Sequence, residues 1–206
     1  MRILLPPSAG KTTKESTNHL QLEKLWQAEH LTQTRRQLID DVQNTALLAD
    51  AAQIFKLGPK NAHEISQNLE VYDAPALAAW QLYDGVLYQA AKFAQIFSSG
   101  EPSQGSQGQV GNHRGDQPQG SQGQGGQGQL EELTLVFSAL FGPVRLTDLI
   151  TPHRLSGSVK LPGQGSVASI WSKALKELLT QQLSGHVVVD LRSAEYGAMY
   201  RPARGG

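Results

Sequence analysis

Between Ser99 and Gln129 the chain repeats Ser-Gln-Gly and Gly-Gln units and offers almost nothing to bury. Residues 100–129 contain 10 of the 21 glycines, 9 glutamines and a single apolar side chain, Val110. Such a segment cannot offset the entropy lost on ordering, so a disordered insert is expected, and the fold must be assembled from the flanking stretches. Loop closure costs grow slowly with length, so one domain covering 1–206 tolerates such an insert. Outside it the chain is about 45% apolar, ordinary for a globular domain.

The flanking stretches alternate short strands with helices, which predicts a mixed α/β (α+β) fold. Residues 2–5 read as a buried strand stopped by Pro6-Pro7, since proline supplies no ladder donor. From Glu15 to Ala52, apolar positions including Leu25, Leu31, Leu38 and Val42 follow a helical face and predict one or two helices. A helix over 60–69 follows, and Asp73 can cap another running from Ala74-Pro75 toward Trp80. Beyond the insert, 130–141 reads as helical, 155–161 as extended and 166–183 as a helix ended by Gly185. The valine run within His186–Leu191 reads as a buried strand.

With no cysteine, disulfides and thiolate chemistry are excluded. No apolar run has the roughly 18 residues of a membrane span, and the N-terminus lacks the apolar core of a signal peptide. A soluble, cytoplasmic protein without a membrane partner is therefore expected. The 18 basic and 18 acidic side chains cancel overall but are segregated. Residues 41–99 carry three basic against six acidic side chains, and 141–176 carry five against one, enough for a local basic patch.

Leu5-Pro6-Pro7-Ser8-Ala9-Gly10-Lys11-Thr12 ends like a phosphate-binding loop after a strand. It departs from the nucleotide-binding pattern where Leu5 replaces the first glycine and two prolines remove amide donors. Two readings stay open: amides near Gly10 together with Lys11 hold one phosphate, or the segment is a tight turn with an exposed lysine. The six histidines, at 19, 30, 63, 113, 153 and 186, form no pair at metal-ligand spacing, so no metal or cofactor is expected. Ser8 and Ser193 lie near strand ends without a nucleophile elbow. Tyr83-Asp84-Gly85-Val86-Leu87-Tyr88 reads as a tight turn flanked by packed tyrosines. Residues 138–148 read as helix, glycine-proline turn and second helix start, and two readings stay open: a helix-hairpin-helix-like element that would grip phosphates with Arg145, His153 and Arg154, or an ordinary helical turn with Asp148 as a cap or ion-pair partner.

LLPPSAGKT, YDGVLY, SALFGPVRLTDLITPHRL, the tryptophan helix with Ile170-Trp171 and VVVDLRSAEY, in this order, resemble the YaaA peroxide-stress protein family. The resemblance implies a bacterial cytoplasmic protein that lowers hydrogen-peroxide damage linked to free iron. It also implies a fold enclosing a positively charged cleft, a helix-hairpin-helix-like element and DNA binding. Lys11, Asp84, Tyr88, Arg145, Asp148, Arg154, Ser193, Glu195 and Tyr196 fall on the family's motifs and become cleft candidates, with Ser8 beside them. His153 stands where the family often has tyrosine, which would turn a stacking contact into a titratable one. The chain stops at Gly206, before a typical member ends, which leaves two expectations open, a C-terminally truncated product or an ending different from the family's.

The leading expectation is therefore a non-enzymatic, sequence-independent DNA-binding stress protein using Lys11, Arg145, His153, Arg154 and Lys160, with affinity falling steeply in salt. The alternative is an enzyme in whose cleft Asp84, Glu195, Tyr88 and Tyr196 perform acid-base chemistry on a phosphorylated or nucleic-acid substrate.

Overall fold

The computed structural model describes residues 1–12, 14–98 and 122–202. Its architecture is mixed helix and sheet, as the alternation of strand and helix signals predicts. Strand β1 (Arg2–Leu5) is followed by helices α1 (Ala28–Ala46), α2 (Ala51–Ile54) and α3 (Ser66–Leu69). Then come strand β2 (Leu77–Ala78) and helices α4 (Ala79–Leu82), α5 (Val86–Ala90), α6 (Phe93–Ser98) and α7 (Gln122–Leu133). Strands β3 (Thr134–Ser138), β4 (Gly142–Val144), β5 (Leu149–Ile150), β6 (Lys160–Leu161) and β7 (Gly165–Ser166) precede helix α8 (Val167–Leu183). Strand β8 (Val188–Asp190) and helix α9 (Ala194–Gly197) complete the order.

The main sheet has the order β4-β3-β1-β8. β1 lies in its interior, parallel to β3 through Leu4↔Leu135 and to β8 through Ile3↔Val189. Its run therefore ends at Pro6-Pro7 with both neighbours already paired. The stretches on either side of the insert are also joined by β2 and β5, antiparallel with Leu77↔Ile150. The Ala79 and Trp80 amides extend this seam by donating to the Asp148 and Leu146 carbonyls, each at 3.0 Å. The helix expected from Ala74 to Trp80 is thus reduced to α4, because cross-chain pairing claims Leu77 and Ala78.

Residues 130–141 are a correction to the helical expectation. Helix α7 stops at Leu133, and the apolar run that follows is β3, buried at every position. A buried parallel strand and a buried helix are both continuous apolar runs, so periodicity does not separate them. The expected helix-hairpin-helix falls with it: β3 and β4 form an antiparallel hairpin, pairing Val136 with Val144 and Ser138 with Gly142. Gly142 has φ of +67°, and a Cβ there would lie 2.6 Å from the Trp171 ring. Trp171, wholly buried on α8, donates its indole N–H to the Ala139 carbonyl at 2.7 Å, so helix and hairpin meet at a point without room for a side chain.

Helix α8 matches expectation: the Ser166 hydroxyl accepts from the Ser169 N–H at its start, and Gly185 follows its end. Two other expectations need correction. Residues 14–21 contain no helix, and the long helix of the first stretch begins only at Ala28. β8 is an edge strand and not a buried one, with Val187 and Leu191 exposed beside it, because it pairs with β1 on one side only among the described residues. Of the expected insert, residues 100–121 lie outside the described residues, while 122–129 open helix α7.

Candidate functional site

Three parallel strands deliver their carboxyl ends to one place. The Pro6–Lys11 segment leaves β1, Ala139 follows β3, and Glu195 and Tyr196 follow β8 on α9. Ligands of parallel sheets collect at such ends, where the chain turns outward and leaves a crevice. Here the crevice is a cavity of about 390 Å³, walled by Ser8, Lys11, Lys56, Tyr83, Arg154 and Glu195 among others. That is within the usual range for a small-molecule site.

The N-terminal wall is held by its neighbours. The Thr12 amide donates to the Leu82 carbonyl at 2.9 Å, the Asp84 amide donates to Gly10 at 3.1 Å, and Lys11 bridges to Tyr83. Gly85 makes the approach possible, since a Cβ there would sit 2.5 Å from the Ser8 hydroxyl oxygen. Tyr88 donates its hydroxyl to the Pro6 carbonyl at 2.7 Å, anchoring the diproline. Its ring packs between Tyr83 and Phe93, so the second tyrosine of YDGVLY serves the wall. Asp84 is exposed and accepts from Gln89 at 2.9 Å; with Tyr88 it borders a separate, smaller hollow of about 190 Å³.

Three cationic side chains and one carboxylate line the main cavity. Arg154 is fastened by an ion pair with Glu64 and a 3.0 Å bond from Nη1 to the Ala9 carbonyl. Lys56 Nζ donates to the backbone and side-chain oxygens of Ser158, each at 3.0 Å. Lys11 differs, because no hydrogen bond or ion pair of its ammonium occurs among the described residues. Burial, then the Arg154 charge, lowers its pKa to about 8. Burial alone would raise the Glu195 carboxyl, but bonds from the Ser158 amide, the Ser156 and Ser158 hydroxyls and the Lys56 charge hold it below the usual range.

The wall also carries Tyr83, 2% exposed, whose hydroxyl makes no hydrogen bond of ordinary geometry. The nearby Ser138 hydroxyl, which partly opposes the effect of burial on the Tyr83 phenol, accepts from the Phe141 amide at 3.2 Å and faces His153 Nε2 at 3.2 Å. His153 Nδ1 lies 2.9 Å from the Thr151 carbonyl, which fixes the proton on Nδ1 and leaves Nε2 to accept from Ser138. Burial, then the Lys11 charge, lowers His153 to about 3, so the imidazole is neutral. Burial pushes both Tyr83 and Tyr196 upward, keeping their phenols protonated.

The structure gathers Ser8, Lys11, His153, Arg154, Glu195 and Tyr196 at this cavity. It does not bring Arg145, Asp148, Lys160 or Ser193 there. Arg145 pairs with buried Asp148 at 3.0 Å, and Asp148 also accepts from the Trp26 and Arg145 amides, so this pair organises the turn after β4. Lys160 is exposed on the β6–β7 ribbon, and Ser193 stands at the position before α9 without a side-chain bond to the helix. Sequence reasoning passed over Lys56, which has no motif around it, and took Tyr83 for packing alone. The signal for Tyr83 is its bridge partner, the lysine of the first motif. Among the described residues no three His, Asp or Glu side chains could hold a metal ion, and no helix is long and apolar enough to cross a membrane.

A family model described as peroxide stress protein YaaA matches residues 123–205. A UPF0246 protein of Streptomyces coelicolor is 29% identical over 204 residues, covering 98% of this chain and 68% of that protein. A UPF0246 protein of Corynebacterium glutamicum is 30% identical over 206 residues, covering 98% of this chain and 70% of its own length.

Proposed function

The chain belongs to the YaaA peroxide-stress protein family, and on that premise we propose that it serves the cytoplasmic response to hydrogen peroxide by engaging DNA through its phosphates. The observation behind this reading is the excess of Lys11, Lys56 and Arg154 over Glu195 in one cavity at the carboxyl ends of parallel strands. Positive potential in a crevice with low-dielectric walls is focused there and draws a polyanion without reading its bases. One phosphate or nucleotide of the strand seats in the cavity. Coverage of the backbone in this way limits the damage that free iron and peroxide do to DNA.

The test is fluorescence anisotropy of labelled duplex and junction DNA at several salt concentrations. Affinity should fall as salt rises, and Lys56→Glu should weaken binding and lower the salt slope by about 1. Lys176→Glu, on the exposed face of α8, should change either quantity much less. Equal effects of the two substitutions, or no binding by a sample that melts cooperatively, would overturn the proposal.

A further inference from the structure

Two groups of the cavity, Lys11 and Tyr83, can do more than draw a phosphate. Arg154 and Lys56 already have protein partners, but Lys11 Nζ has none among the described residues, and the buried Tyr83 hydroxyl on the same wall makes no hydrogen bond of ordinary geometry, with Ser138 its near neighbour. An amine beside a second cation in a partly dry site is a nucleophile, and a protonated phenol is a proton donor. We propose that Lys11 captures the carbonyl carbon of a phosphorylated aldehyde as an imine, with Tyr83 serving the carbonyl oxygen. The substrate class rests on the phosphate-binding reading above, with Arg154 and Lys56 drawing the phosphate.

The step balances without any redox partner. The neutral Nζ gives its lone pair to the carbonyl carbon, and the C=O π pair moves onto oxygen, which takes a proton from Tyr83 Oη. The nitrogen returns a proton to the phenolate, leaving a neutral carbinolamine. Protonated again by Tyr83, the oxygen departs as water while the nitrogen lone pair closes C=N, and the second nitrogen proton restores the phenol. Amine and aldehyde become imine and water. With Lys11 near 8, about a tenth of the amine is free at pH 7, against far less than a hundredth for an ordinary lysine. Peroxide and iron oxidise sugars to aldehydes, so the substrate class agrees with the family's setting.

The experiment traps the imine with cyanoborohydride in the full-length protein and maps adducts by peptide mass spectrometry. The probes are glycolaldehyde phosphate, propionaldehyde and an oligonucleotide carrying an abasic site. Lys11 should be modified at least tenfold faster than exposed lysines such as Lys173, with a half-maximal rate near pH 8, and faster by glycolaldehyde phosphate than by propionaldehyde. Lys11→Arg should remove that adduct while keeping the thermal transition. Covalent trapping of the abasic strand at Lys11 would assign the aldehyde to DNA; trapping of the small phosphate alone would assign it to free sugar phosphates. Equal rates with both small aldehydes would overturn the phosphate preference and leave the lysine chemistry standing. Adducts distributed by surface exposure, with Lys11 unmodified, would overturn the proposal whatever the DNA anisotropy shows.

Discussion

Arg35 holds the tip of the β3–β4 hairpin from inside the protein: its Nε donates to the Phe141 carbonyl at 2.9 Å. The same guanidinium donates through Nη2 to Pro143 at 3.0 Å and to Trp26 at 2.8 Å, with the residue wholly buried. Burial, partly offset by the Asp148 charge, lowers its pKa to about 10, so it stays charged. Arg35→Met keeps the volume and strands three carbonyls. It should lose about 3 kcal/mol in urea unfolding at an unchanged m value. A loss below about 1 kcal/mol would mean that Trp171 and the strand pairing hold the hairpin unaided.

His153 makes the fold sensitive to acid. Its folded pKa of about 3 lies below the ordinary 6.5, so between those values the unfolded chain binds the proton and the folded one does not. Stability therefore falls as pH drops from 6.5 toward 3, by about 2 kcal/mol at pH 5. His153→Gln should flatten that part of the pH profile by thermal melting, even if it lowers the whole curve. An unchanged profile would assign the acid sensitivity to other groups.

Lys11 should carry a stability penalty. Its pKa falls from 10.5 to about 8 on folding, so the charged form is disfavoured, and the penalty is fully present below pH 8. Stability rises as pH goes from 8 to 10.5, where the unfolded chain binds more protons. Lys11→Met should therefore raise unfolding free energy by about 1–3 kcal/mol at pH 7, with the difference closing through that window. A destabilised variant would show that the ammonium has a partner that compensates its burial.

Local chemistry was the legible part of the sequence. The strand before Pro6-Pro7, the α8 stripe of Trp171, Leu175 and Leu179, and the glycine after it each announce themselves within a few residues. What long-range pairing decides was not legible. Thr134–Ser138 is a strand because it lies along β1, and Leu77 is extended because it meets Ile150. The candidate site divides in the same way. Lys11, Arg154, Glu195 and Tyr196 stand on motifs and converge, whereas Arg145 and Asp148 stand on a motif and form a turn. Arg35 sits on an apolar helix face with no local sign that carbonyls wait above it.

The interior position of β1 has a consequence for synthesis. This strand leaves the ribosome before both of its neighbours, so Leu4 has to wait for Leu135 on one side and Asp190 on the other. Until Thr134–Ser138 emerges its two leucines have no sheet to enter. Sheet formation must then await the later strands and has high contact order, slow by topology, and until then β1 is the segment most in need of shelter from other chains.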